Sequence, residues 1–410
     1  MQELTLRVGA WHGDKAKQYA IPDTWSVDVF TMRGAPRLDD AALHKAVANP
    51  VGCAPIATAA KGAESAVLII DDLSRPTPGE RICNALMDEL NRADIPDRKI
   101  AILMGGGAHR PFNRREMAKK LGSARNRAAR INCHDAWDAP CEFFGVTSRG
   151  TPILVNRIAA QAEFRVAISG AYPMSVCGFG GGNKMILPGV SHISSITWNH
   201  TQLPTGTRAG RPQDSVRRLD IEEYGGLFGL NMAVCAVVNA ERELCGLVAG
   251  EPRAAHRKAV AIGRKVYYSG LDKATKKYDL NIVNAYPMDA DGVQLCKSTW
   301  AYGAGGASTP TLFIDEFPDK YWYHGQYEGR FKDFARQDHT RPLPRQTTKD
   351  LMAADRILYN PHCGTTFYPE PNLYGQHWYY ARDWDRLIGK LARRFPKARV
   401  RVIPAAAIQY

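Results

Sequence analysis

Apolar residues fall along this chain in two rhythms. Over residues 65–70, 99–104 and 166–169 they gather into short, nearly unbroken runs, with 129–133 as a weaker fourth. Such runs predict strands buried on both faces of a parallel sheet. Over 3–8 and 25–30 apolar and polar residues alternate instead, which predicts strands with one wet face, expected to form a small flanking sheet. Helical spacing covers 40–48 and 79–92, and Pro50 and Pro55 punctuate the passage between them.

Strand, turn and helix therefore repeat, the pattern of an α/β protein with mainly parallel sheets and right-handed crossovers. At 410 residues the chain is long enough for two full cores. After Ala254 a helix is expected to about Ser269, then a polar bridge over 271–277 and a strand over 279–285. The boundary is accordingly placed between an N-terminal α/β domain, 1–270, and a C-terminal α/β domain, 271–410, with an active-site cleft expected between them. In the second domain strands are expected over 309–315, 356–359 and 400–403, and helices near 293–302 and 383–394. The stretch 317–348, rich in Tyr, Trp, Arg and His, predicts a long lid or irregular excursion.

Composition narrows the function. Hydrophobic residues make up 45% and charged residues 23%, an ordinary globular balance. No apolar run is long enough to cross a membrane and the N-terminus lacks the apolar core of a signal peptide, so a cytoplasmic protein is expected. The nine cysteines are scattered singly, without a Cys-x-x-Cys pair, and are expected to be reduced. The net charge of +13 is spread among acidic residues rather than gathered into a tract, which argues against nucleic acid and for a small anionic ligand.

Candidate chemistry follows the strands. The run ending at Ile70 empties into Asp71-Asp72-Leu73-Ser74-Arg75-Pro76-Thr77-Pro78, the next into Gly105-Gly106-Gly107-Ala108-His109-Arg110-Pro111, and a fourth ends at His134-Asp135. Open parallel sheets bind ligands outside the carboxyl ends of their strands, so Asp72, Arg75, His109 and Lys184 can converge despite their separation in sequence. The loop Gly178-Phe179-Gly180-Gly181-Gly182-Asn183-Lys184 is nearly free of side chains and can bring backbone N–H groups to an anion, with a lysine at its end. It matches neither the dinucleotide fingerprint, because Asn183 stands where the third glycine belongs, nor a P-loop, because Met185 follows the lysine. A plain glycine-rich turn is the alternative. His200 by itself is a poor metal site, with no second histidine at ligand spacing, and reads as structural on that ground alone.

GFGGGNKMILPGV followed by SITWNH resembles the lactate racemase family, as do DDLSRPTP, GGGAHRP and DGVQLCK (291–297) in the same order. The resemblance covers roughly the first 300 residues. It implies a nickel-pincer nucleotide, a pyridinium nucleotide carried covalently by Lys184, with the histidine ligand to nickel supplied by His200. A planar pincer brings three donors, so one imidazole completes the tetragonal set that this metal favours. It further implies that Asp72, Arg75 and Thr77 hold the cofactor, with Gly180, Gly181, Gly182 and Pro188 of the cradle; Arg75 is equally suited to a substrate carboxylate. His109 is the expected general base, with Gln294 and Lys297, three apart on one face, contacting substrate or cofactor. Expected partners are a small anionic hydroxy acid and the enzymes that assemble the cofactor.

One position departs from the family. Its usual second histidine is replaced in Tyr172-Pro173-Met174, and methionine exchanges no protons. Gly180 also stands where serine is commoner. Three readings follow: a racemase or epimerase of a larger hydroxy acid or sugar acid, with Tyr172, His192 or a residue of 317–378 as second acid/base; another hydride transfer using one histidine; or a non-catalytic protein that keeps the cofactor pocket. His134 and Asp135 are expected to orient their turn.

Overall fold

The computed structural model describes residues 1–174, 176–204, 215–301, 309–317, 351–352, 354–362 and 378–410. The chain forms two compact units, Gly34–Val266 and Met1–Arg33 with Tyr267–Tyr410. The expected excursion over 317–348 lies, after Phe317, outside the described residues.

The Gly34–Val266 unit is built on a six-stranded sheet in the order Leu244–Gly250, Met232–Val238, Phe164–Gly170, Ala66–Asp71, Ile100–Gly105, Arg130–Cys133. Every neighbouring pair is parallel except the first. Ala66–Asp71 and Ile100–Gly105 are buried at every position, which is why their sequences run apolar without alternating. Helix Gly79–Arg92 turns Ile82, Cys83, Leu86, Met87 and Leu90 inward at i, i+3/i+4 spacing. Helix Arg114–Leu121 begins at a capping box in which Asn113 and Glu116 satisfy each other's backbone N–H groups. The strand pair over 232–250 carries no alternation and no predicted element; helix Pro252–Val266 packs against it.

The other unit carries an all-parallel sheet, Trp378–Ala381, Arg356–Tyr359, Thr311–Ile314, Leu280–Asn284, Arg399–Ile403, Ser26–Val29. Three expectations are corrected here. Residues 25–30 do not join a flanking sheet: Ser26–Val29 is an edge strand of this sheet, beside Arg399–Ile403. Only Gln2–Val8 and Lys15–Ile21 make a separate antiparallel ribbon. Residues 1–33 thus cluster with the C-terminal unit, and the division at 270 becomes a discontinuous one with its junctions at 33/34 and 266/267. Alternation announces a half-buried strand but not its partner. Third, the helix expected near 293–302 is wound in 3-10 turns: Gln294 N–H donates to Asp291 C=O, Ser298 to Leu295 and Ala301 to Ser298.

The N-terminal ribbon is part of that unit's core. Leu4, Leu6, Val8, Tyr19, Ile21 and Trp25 are buried against Leu280, Ile282, Val400, Val402 and Leu387. A chain beginning at Gly34 removes these six side chains and exposes the Arg399–Ile403 edge. Limited proteolysis should then cut rapidly within 267–410 and leave a resistant fragment close to 34–266; equal resistance of both parts would contradict this assignment.

Candidate functional site

Three parallel strands of the Gly34–Val266 unit finish side by side. Asp71 is level with Gly105, and Ile70 with Ile168. The turns that follow therefore leave one sheet edge together, carrying Asp72 to Thr77, Gly106 to His109, and Ala171 to Met174.

Asp72 is buried beneath the His109 ring, its Oδ2 hydrogen-bonded to Nδ1, while Oδ1 accepts both the N–H of Ser74 at 2.9 Å and the Ser74 hydroxyl. Burial pushes the Asp72 carboxyl up; the His109 imidazole, the Arg75 guanidinium and the Ser74 hydroxyl outweigh it and hold the group well below the usual carboxylate range. An ionised Asp72 fixes the His109 tautomer: Nδ1–H donates to the carboxylate, so Nε2 carries the basic lone pair.

Behind this pair lies a second buried layer. Asp71 Oδ2 accepts from the Thr77 hydroxyl at 2.6 Å and from Gly170 N–H at 3.1 Å. With the Thr77 proton so used, the Tyr172 phenol at 3.2 Å is the donor to Thr77 Oγ1. Burial, reinforced by the Asp71 charge, lifts the Tyr172 phenol well above its ordinary value of 10, which disfavours its action as a base. Lys120 reaches in from the end of helix Arg114–Leu121 to Asp71 Oδ1 at 2.6 Å.

The glycine-rich loop forms the neighbouring wall. Gly181 and Gly182 adopt φ of +93° and +63°, and a Cβ on Gly182 would sit 3.1–3.2 Å from His256, Arg218 and the Pro252 carbonyl. The loop is pinned from behind: His256 Nε2 donates to Gly180 C=O at 2.9 Å, Arg218 Nη1 to Gly181 C=O at 2.8 Å, and Gly182 N–H to Ser169 Oγ at 3.1 Å. Pro188 packs on the His109 turn, since a Cβ on Gly107 would lie 3.1 Å from its ring, and Gly107 N–H donates to Gly189 C=O at 2.9 Å.

Lys184 follows this loop. Its side chain is half-buried and its pKa is lowered by burial and by Arg75, Arg218 and Arg217, against an opposing pull from Cys177. A lysine so depressed holds a larger fraction of nucleophilic amine. His200 lies on a π-helical turn, Trp198–Gln202, a distortion frequent at functional sites. Its Nδ1 donates to Ile196 C=O at 3.1 Å, the kind of backbone anchor also seen behind metal-binding histidines, which puts the ring's lone pair on Nε2. Burial first, then Lys184 and Arg217, push its pKa down to about 3, so the ring is neutral at pH 7. That electrostatic influence places Lys184 and His200 in one neighbourhood.

The structure thus brings together Asp72, Arg75, Thr77, His109, Tyr172, Gly180, Gly181, Gly182, Lys184, Pro188 and His200 in one unit. Gln294 and Lys297 belong to the other, on the 3-10 turn Gly292–Lys297, where residues three apart share a face; Gln294 is buried and Lys297 half-buried. Met174 packs its sulfur 3.0 Å from Cys177 Sγ. His192 caps the short helix Ile193–Thr197 through Ser194. Sequence reasoning passed over Lys120, Asp71, Arg218 and His256. Lys120 carries no local signal that separates it from its exposed neighbour Lys119.

A carboxylate-held histidine, a glycine cradle, a depressed lysine and a neutral, anchored histidine thus gather at the strand ends of a parallel α/β sheet, the place where such sheets bind their ligands. Residues 12–210 match the model of the lactate racemase N-terminal domain. The chain is similar to the lactate racemase family. It is 25% identical over 380 residues to the lactate racemase of Lactiplantibacillus plantarum, covering 88% of each chain. It is 25% identical over 334 residues to that of Thermoanaerobacterium thermosaccharolyticum, covering 78% of this chain and 77% of the relative. The fold matches the lactate racemase apoprotein of the latter organism, with a TM-score of 0.70 at 19% identity over 100% and 99% of the two chains. A Thermotoga maritima protein matches with a TM-score of 0.65 at 15% identity, over 91% and 98%.

His134 contributes stability rather than chemistry. It is fully enclosed, bonded to Asn156 Nδ2 and to Ser191 C=O at 3.0 Å each, and burial pushes its pKa down to about 4. The unfolded chain, with an ordinary histidine near ~6.5, binds the proton that the folded chain refuses. The stability at stake, on the order of 3 kcal/mol, is present above pH 6.5 and lost as pH falls toward 4. Urea unfolding at pH 7 and pH 4.5 should show a larger loss in the wild type than in His134→Gln; equal losses would exclude His134 as the cause.

Proposed function

We propose that the protein is an isomerase, a racemase or epimerase of a 2-hydroxy acid or sugar acid that works on a nickel-pincer nucleotide carried by Lys184. The observation that supports this most directly is the pairing of a pKa-depressed Lys184 with a neutral His200 whose Nδ1 is tied to Ile196, beside a cradle that excludes side chains. These residues suit the group: an amine for the covalent link, one imidazole nitrogen for nickel, and Arg75 on the flanking turn, whose shape the buried Asp72 and Thr77 hold from within rather than by touching the group. When bound, the cofactor supplies a hydride acceptor and donor.

The protein's own residues supply the rest. His109 Nε2 accepts the substrate hydroxyl proton, and Asp72 behind the ring stabilises the imidazolium that results. The planar fork of Arg75 suits the substrate carboxylate. A small anionic hydroxy acid fits the cationic surroundings of Arg75, Lys184, Arg217 and Arg218. Assembly enzymes for the cofactor are the expected partners and nucleic acid is not. No described helix is long and apolar enough to cross a membrane.

Met174, packed against Cys177, and the neutral Tyr172 phenol favour a second reading: another hydride transfer with His109 as its single base. Retention of the His109–Asp72 pair speaks against a storage protein, which has no use for a positioned base.

Two sets of variants test the proposal. Protein made with the cofactor-assembly enzymes should carry an adduct by intact mass that Lys184→Ala lacks, and His200→Ala should lose nickel by metal analysis. An unchanged adduct mass in Lys184→Ala would move the tether elsewhere. His109→Ala should lower turnover of the natural 2-hydroxy acid by roughly 10²–10⁴-fold, whereas Tyr172→Phe should stay within about tenfold. A Tyr172→Phe loss as deep as that of His109→Ala would make the phenol the second acid/base.

A further inference from the structure

Lys120 is a buried cation of the site that the proposed chemistry leaves unused. It is 1% exposed, and its ammonium reaches three acceptors: Asp71 Oδ1 at 2.6 Å, Asp72 C=O at 2.6 Å and Arg75 C=O at 2.8 Å. Two of its three N–H bonds go to the carbonyls, and its charge is paired with the Asp71 carboxylate. Two of the three acceptors are backbone carbonyls at the two ends of one turn, which Arg75 N–H also closes by donating to Asp72 C=O at 3.2 Å. With those carbonyls drawn toward Lys120, the carboxylate of Asp72 is left to meet His109.

The helix that carries Lys120 is itself tied to the His109 turn. Arg110, next to His109, forms a two-pronged ion pair with Glu116, at 2.6 and 3.1 Å. Glu116 in turn closes the capping box at Asn113. The connection therefore forms a ring: His109 to Arg110, along helix Arg114–Leu121 to Lys120, across to the Asp72–Arg75 turn, and back through Asp72 to His109. Helix Gly79–Arg92 is fitted to it, since a Cβ on its first residue, Gly79, would come within 2.9 Å of Lys120 C=O and 3.1 Å of Lys120 Cγ.

We propose that Lys120 is a positioning residue, a buried tripod that sets the Asp72–Arg75 turn so that Asp72 holds His109 in the Nδ1–H tautomer and Arg75 keeps its place beside it. The part of this that concerns catalysis rests on His109 being the base. The part that concerns geometry does not.

The test reads the His109 ring directly, by long-range 1H–15N correlation of the cofactor-free protein, with His109→Ala used to assign its signals. Removing Lys120 alone strands a buried carboxylate, so the variant is Asp71→Asn/Lys120→Met, which removes both charges and keeps the bulk. Wild type should show His109 with its proton on Nδ1. The double variant, folded by circular dichroism, should shift the ring toward the Nε2–H form that unconstrained histidine favours. Gly79→Ala, which crowds the Ile70 methyl at 2.6 Å and the Lys120 backbone carbonyl at 2.9 Å without changing any charge, should shift it in the same direction by less, and it serves alone if the double variant does not fold. An unchanged His109 spectrum in whichever of them folds overturns the proposal. In cofactor-loaded protein the double variant should lose about 100-fold in kcat with KM within a few-fold. If His109→Ala leaves activity intact, the functional reading fails while the tautomer measurement still decides the role of Lys120.

Discussion

The candidate site depends on one buried carboxylate. Removing Asp72 from water is costly by several kcal/mol unless its lone pairs are met, and here they are met by His109 on one oxygen and by Ser74 on the other. Each partner stands where it does for a separate reason: Ser74 because the turn after Ala66–Asp71 folds back on itself, His109 because the next parallel strand ends level with the first. Registration of two strands thereby becomes the tautomer of a histidine.

Charge is distributed unevenly around that centre. Lys184, Arg75, Arg217 and Arg218 all influence the cradle region, and together with burial they depress Lys184 rather than leaving it an ordinary surface ammonium. Arg218 is offset by Glu222, which also receives Arg253 and Arg257. His256, by contrast, is kept well below its usual pKa by burial and adjacent arginines, and it serves the loop as a neutral donor to Gly180. The cradle is therefore stiffened from behind by neutral and paired groups, while cationic groups gather at Lys184. This arrangement suits an anionic ligand.

The two units solve burial differently. In Gly34–Val266 the central strands are covered on both faces by the chain's own intervening segments. In the other unit a ribbon from the extreme N-terminus supplies part of the core, with Tyr19 edge-on to Trp384 at 4.6 Å between ring centroids. That loan of residues 1–33 makes the unit discontinuous in sequence.

The sequence by itself determined much of this protein. Apolar runs at 65–70, 99–104 and 166–169 announced the buried parallel strands found at 66–71, 100–105 and 164–170, helices 40–48 and 79–92 were legible to the residue, and a candidate ligand site at strand ends followed from the topology they imply. The glycine cradle with Lys184, and the turns of Asp72 and His109, were visible because their composition is unusual for loops, whereas His200 stood out only through the family resemblance. Tertiary structure alone decided what depends on partners far apart in the chain. It joined Ser26–Val29 to an edge beside Arg399–Ile403, since alternation encodes a face and not a neighbour. It wound 292–297 as a 3-10 turn. It also made Lys120 a buried tripod and left Lys119 exposed, for two adjacent lysines differ only in the face of the helix they occupy, and that face acquires its meaning when Asp71 and the Asp72–Arg75 turn are folded against it.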